Sequence, residues 1–123
     1  MIVLVVDDQE INRKLPLAIL KKQGVATAEA ADGEEALALL AQAPEIRHIL
    51  LDVSMPGLSG TEVCQRLRSQ ADGGRYHIVA YTAHAFDNET RAIMAAGFDR
   101  LLIKPINRAS LLQSLGLEDH PAP

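Results

Sequence analysis

Five short apolar runs, each followed by a helix-forming stretch, constrain this chain more than any other feature. The runs fall at about 2–6, 25–29, 48–52, 77–82 and 99–103, and the helical stretches at about 10–23, 33–42, 60–69, 88–96 and 107–115. Ile2-Val-Leu-Val-Val6 and His48-Ile-Leu-Leu-Asp52 do not alternate apolar with polar residues. A strand that is apolar on both sides must be covered on both faces, so the repeating strand–helix order predicts an α/β fold around a parallel sheet. Helix-end chemistry agrees with these boundaries. Asp32 with Glu35, and Ser59 with Glu62, have capping-box spacing. Asn107 can cap the last helix, and Gly24 and Gly97 stand where helix C-termini take a left-handed residue. Pro44 and the stretch 71–75 read as loops, and 117–123 as a tail or the start of a linker.

A doubly wound sheet binds ligands beyond the carboxyl ends of its strands, where strand order reverses. That edge collects chemistry here. The first run ends in Asp7 and Asp8, the third in Asp52, the fourth in Thr82, and the fifth is followed by Lys104 and Pro105. An unpaired charge at the end of a buried run must lie at the mouth of a pocket, because burying it alone costs too much. Three clustered carboxylates need a cation or a raised pKa. With no His or Cys among them, a hard divalent ion such as Mg²⁺ is expected. A carboxylate facing a metal, a Thr hydroxyl and a Lys ammonium meets the needs of phosphoryl transfer, which rests on positioning and charge neutralisation. Asp52 would then be the nucleophile. A strand-end Asp taken alone is usually a turn or helix cap; five polar residues on one edge are not explained that way.

Composition excludes other classes. The 123 residues suit one domain with a real core. With a net charge of −4 and no Lys/Arg run beyond two, a nucleic-acid surface is not expected. No apolar stretch approaches the roughly 20 residues of a membrane span. With a strand beginning next to Met1, no signal peptide is expected within this sequence. Cys64, the lone cysteine, reads as core filler. His48, His77 and His120 lack zinc-site spacing, with each other or with His84.

Val5-Val-Asp-Asp-Gln-Glu-Ile-Asn-Arg13, Leu51-Asp-Val-Ser-Met-Pro-Gly57, Tyr81-Thr-Ala83 and Leu102-Ile-Lys-Pro105 resemble the receiver domain of two-component response regulators. The resemblance covers residues 1–116. It implies a CheY-like, flavodoxin-like five-stranded parallel sheet of order 2-1-3-4-5 with five helices, an order carried over from the family. It also implies that Asp52 is the phosphoacceptor. Asp8 and Asp52 would ligate Mg²⁺ directly, Asp7 would act largely through water, and the Ser54 backbone carbonyl would be a further ligand. Lys104 would pair with the phosphoryl group, Thr82 would be the switch residue, and the Lys104–Pro105 peptide would be cis. Ser54 and His84 match positions that tune phosphate lifetime. Glu10-Ile-Asn-Arg13, Thr82-Ala-His-Ala-Phe86 and Met94-Ala-Ala-Gly-Phe-Asp99 are similar to receivers within hybrid histidine kinases, although stand-alone receivers also use them. The implied partner is a histidine kinase or histidine phosphotransfer domain. The implied setting is a cytoplasmic monomer or weak dimer that is not an enzyme on an external substrate.

Two departures stand out. Leu101 occupies a switch position where the family often has an aromatic, and strand alternation points Tyr81 to the opposite face from Thr82. Pro16 lies inside the first helix, where it deletes a hydrogen bond to the Asn12 carbonyl and should kink or loosen that turn. The same helix is apolar on more than one face. Ile11 and Leu15 are expected to face outward as a partner-docking strip, with Ile19 and Leu20 packing inward. Two other classes fit less well: a dehalogenase-like phosphatase, which would carry Asp-x-Asp after its first strand, and a receiver-fold binding module that has lost phosphorylation. A flavodoxin would need a Ser/Thr/Gly-rich phosphate loop after the first strand, which is missing.

Overall fold

The computed structural model describes residues 1–83 and 87–117, apart from the Asp87 side chain. Five strands and five α-helices alternate: β1 (Ile2–Val6), α1 (Glu10–Lys22), β2 (Ala26–Ala30), α2 (Gly33–Gln42), β3 (His48–Asp52), α3 (Gly60–Arg68), β4 (His77–Thr82), α4 (Asp87–Ala95), β5 (Arg100–Ile103) and α5 (Arg108–Ser114). A short 3₁₀ turn, Gly73–Arg75, lies in the loop expected at 71–75. All strand pairs are parallel and the order is β2-β1-β3-β4-β5, as the family resemblance implies.

Alternating side chains of the central strands feed two cores. Leu4, Val6, Ile49, Leu51, Ile78 and Ala80 pack on one face against α2, α3 and α4 residues such as Leu40, Leu67 and Ile93. Val3, Val5, Leu50, Val79 and Tyr81 pack on the other against Leu20 of α1 and Leu111 and Leu112 of α5. Cys64 is fully buried in the first core, and burial pushes its thiol up to about 11.

Element limits move by a residue where chain reversals use up the ends. Val25, expected to open β2, donates its N–H to the Leu20 carbonyl across the left-handed Gly24 (φ 75°) and so closes α1. β2 begins one residue later. It is an edge strand, and only its last residue is buried. Asp99 precedes β5 because its carboxylate accepts the Ile78 N–H at 2.8 Å and binds Arg68 at 2.7 Å. Gly97 is left-handed as expected (φ 112°). Ser59–Glu62 forms a full capping box, as does Asn107 with Ser110. Asp32 caps α2 by accepting the Glu35 N–H, whereas Glu35 reaches back to the Ala31 N–H and not to the cap residue. α1 runs helical through Pro16, with the proline buried. Ile11 and Leu15 are exposed, Ile19 packs against the second core and Leu20 is fully buried, so the helix faces inward and outward as expected.

Candidate functional site

Strand register assembles the site. Val6 of β1 is level with Leu51 of β3, so the next residues, Asp7 and Asp52, end side by side. Asp52 is level with Tyr81, which puts Thr82 one step further on. Thr82 is level with Ile103, and Lys104 extends that ladder by donating its N–H to the Thr82 carbonyl at 2.8 Å. Four strands therefore deliver their terminal polar groups to one edge. Asp8, Asp52, Ser54, Thr82 and Lys104 line a cleft of about 930 Å³ that extends to Ile93 of α4.

Asp7 is completely buried, and each of its oxygens is engaged. Lys104 Nζ lies 3.0 Å from Oδ2, the Gln9 N–H donates to Oδ1 at 3.0 Å, and Arg13 Nη1 donates to the backbone carbonyl at 2.8 Å. Asp8, in contrast, is exposed. Among the described residues its carboxylate has neither a hydrogen bond nor an ion pair. Asp52 is 4% exposed. Its Oδ1 accepts the Ser54 N–H at 3.2 Å and lies 3.7 Å from Lys104 Nζ.

Burial, and secondarily the charge of Asp7, pushes the Asp52 carboxyl up from 3.8 to about 6; Lys104 and the Ser54 N–H offset only part of this. Asp7, Asp8 and Asp52 can each present a carboxylate oxygen such that the three lie within 4.8 Å of one another. An all-oxygen set with excess negative charge and one exposed, uncommitted carboxylate fits a hard divalent cation that keeps some of its waters. The engagement of Asp7 with Lys104 leaves it mainly a charge at this cluster, and Asp8 and Asp52 are the carboxylates available to a cation.

Three contributors could not be nominated from sequence. The Lys104 ammonium lies over the Tyr81 ring, 4.5 Å from its centre, a favourable cation–π contact. Tyr81 is indeed on the other face from Thr82, within the second core. Gly60 opens α3 where a Cβ would lie 2.0 Å from the Asp52 carbonyl oxygen and 2.8 Å from Val53 Cα. Only glycine allows α3 to start this close behind the acid. Arg13 reaches from α1 both to the Asp7 carbonyl and to Glu29 Oε1 at 2.9 Å. Its place in the Asp7–Arg13 segment is visible in the sequence, but its partner, 16 residues on, is not.

Leu101 is half-buried against the first core. The Lys104–Pro105 peptide is cis. Ile11 and Leu15 border a shallow groove with Tyr81, Pro105 and Ile106, beside Lys104. His84 lies outside the described residues, as do His120 and the tail from residue 118. The His48 and His77 rings lie 5.7 Å apart, tilted by 47°, at the opposite end of the sheet, far from the acids in register.

Comparison with known proteins agrees with this arrangement. A family model described as the response regulator receiver domain matches residues 3–116. The chain is 37% identical over 114 residues to the sensor histidine kinase GacS of Pseudomonas protegens, covering 90% of this chain and 12% of that protein. It is 35% identical over 117 residues to the sensor histidine kinase RcsC of Escherichia coli, covering 95% of this chain and again 12% of the relative. The chain thus spans about an eighth of the length of these kinases. Among solved structures, the chemotaxis protein CheY4 of Vibrio cholerae superposes with a TM-score of 0.86 at 32% identity, covering 94% of this chain and 95% of that one.

Proposed function

The chain belongs to the response regulator receiver family, and from that premise we propose that it is a Mg²⁺-dependent switch that accepts a phosphoryl group on Asp52. The observation that carries this reading is the Asp52 carboxylate itself. It is nearly buried, 3.7 Å from an ammonium, and clustered with two other acids at the mouth of a cleft. A purely structural aspartate would be paired and quiet; this one is held in a repulsive setting that a cation and an incoming phosphoryl group would relieve.

An Asp52 oxygen attacks the phosphorus of a phosphohistidine in line with the imidazole. A P–O bond forms as the P–N bond breaks, and the electron pair of that bond returns to the imidazole nitrogen. Asp8, Asp52 and the Ser54 carbonyl, with Asp7 adding its charge behind them, would hold Mg²⁺, which would supply charge neutralisation for the phosphoryl oxygens. Lys104, already between Asp7 and Asp52, pairs with the new phosphoryl group, and the Thr82 hydroxyl donates to one of its oxygens. By the family resemblance, Ser54 and His84 are the positions that would tune the lifetime of the phosphoryl group. A near-complete switch needs about 5.5 kcal/mol of differential stabilisation, more than one charge-assisted hydrogen bond of about 1.5–3 kcal/mol provides. With Leu101 in place of a larger ring, part of that difference comes from a partner.

We assign residues 1–116 to the receiver unit and 117–123 to a tail or linker. The donor is a histidine kinase or histidine phosphotransfer domain that docks on Ile11 and Leu15, and the motif flavour favours the receiver segment of a hybrid kinase over a free-standing one. The setting is cytoplasmic and the unit a monomer or weak dimer without an external substrate; among the described residues no helix is long and apolar enough to cross a membrane. The test is intact-mass analysis after incubation with acetyl phosphate and Mg²⁺. Wild type should gain one phosphoryl group and Asp52→Asn none. Labelling at another residue, or none in wild type, would overturn the assignment.

A further inference from the structure

From the geometry of the β1–α1 turn we infer that Arg13 is a positioning residue for Asp8, holding that carboxylate where a divalent cation would meet it. The inference rests on reading the acidic cluster as a cation site.

Asp8 is the one acid of the three that lacks a side-chain tie among the described residues, so backbone geometry must decide where its carboxylate points. The peptide unit joining Asp7 to Asp8 contains the Asp7 carbonyl, and that carbonyl is held by Arg13 Nη1 at 2.8 Å. The last β1–β2 ladder bond, from the Asp7 N–H to the Ala30 carbonyl, is already long at 3.3 Å. Beyond it Arg13 takes over, fixing the plane of the next peptide and with it the direction of Asp8 Cα–Cβ.

Arg13 can do this because it is itself anchored. Its side chain is 13% exposed, and Nε donates to Glu29 Oε1 at 2.9 Å from the outer end of β2. Glu29 is half-exposed, so the pair adds little stability. Its consequence is orientational: one planar fork spans two acceptors, and lysine cannot reproduce that. Groups that orient a metal ligand from behind commonly change affinity by about 10–100-fold when removed.

The electrostatic alternative predicts the opposite sign. Arg13 is a cation beside a proposed cation site, so deleting it for charge reasons alone should tighten Mg²⁺ binding. Deleting a positioning group should weaken it. The experiment is isothermal titration of MgCl₂ into wild type, Arg13→Ala, Arg13→Lys and Glu29→Gln, with urea denaturation in EDTA measured in parallel. Binding should weaken by about 10-fold or more in Arg13→Ala, less in Arg13→Lys, and by a few-fold in Glu29→Gln. The midpoint in EDTA should fail to rank the variants in that order. Unchanged or tighter Mg²⁺ binding by Arg13→Ala overturns the positioning role while leaving the cation site intact. If Arg13→Ala does not fold, wild-type affinity in both Arg13→Lys and Glu29→Gln overturns it equally. Absence of Mg²⁺ binding by wild type would instead bring down the cation-site reading, and this inference with it.

Discussion

Replacing Asp52 by Asn should stabilise the metal-free protein at neutral pH, by an amount that disappears in acid. The Asp52 carboxyl is pushed from 3.8 up to about 6, first by burial and then by Asp7. A shift of that size corresponds to about 3 kcal/mol between the two protonation states. Because the folded-state value lies above the unfolded one, the stability contribution is fully present below about pH 4. It is lost as pH rises through about 6, since the folded protein must then hold an anion it disfavours. Asparagine keeps the size and cannot ionise. In EDTA at pH 7.5, Asp52→Asn should therefore exceed wild type by up to about 3 kcal/mol, roughly 10 °C in melting temperature for a domain of this length. At pH 4 the two should converge. Added Mg²⁺ should narrow the gap at pH 7.5 from the wild-type side, because a ligand of the native state stabilises it by mass action. The assay is urea denaturation at pH 4, 5.5 and 7.5 with and without Mg²⁺, requiring equal slopes for the two proteins. A variant no more stable than wild type at pH 7.5, or an advantage independent of pH, would refute the claim that this carboxylate is held against its preference.

Lys104→Ala leaves Asp7 fully buried without its ammonium and should cost about 3–5 kcal/mol at pH 7.5; recovery is expected in Lys104→Ala/Asp7→Asn, and a mild single variant would count against the pair. Gly60→Ala drives a methyl into the Asp52 carbonyl and should destabilise by about 1–3 kcal/mol or more, with slower acetyl phosphate labelling as Asp52 is displaced; unchanged stability and labelling would contradict the close packing. Leu15→Asp, on the exposed side of α1, should slow phosphotransfer from a phosphohistidine protein yet spare labelling by acetyl phosphate; equal loss in both assays would refute a docking role.

Much of the fold is legible in residue order because each local signal has one physical reading. Short non-alternating apolar runs between helix-forming stretches fit strands covered on both faces, and Ser59 with Glu62 and Asn107 before α5 do cap helices. The misplaced limits are cases where a tertiary or turn contact competes. Val25 reads as strand but closes a helix, and Asp99 reads as strand but is taken by Arg68 and Ile78. Pro16 lies inside the helix expected at 10–23, and α1 does run through it with the proline buried. The five polar residues of the site were visible because all sit at strand ends, and their strand ends share an edge in any parallel sheet.

Residue order alone specified which groups would reach that edge, since chemical identity and position along each strand need no knowledge of distant contacts. Packing in three dimensions determined how those groups stand toward one another. Lys104 lies against Asp7 more closely than Asp52, Asp52 is forced toward its neutral form, and Asp8 remains uncommitted. Gly60, Tyr81 and Arg13 support the acids from segments that only the sheet register and helix packing bring alongside. Distances and burial set the strength of every electrostatic interaction here, and both arise only once the chain has closed on itself.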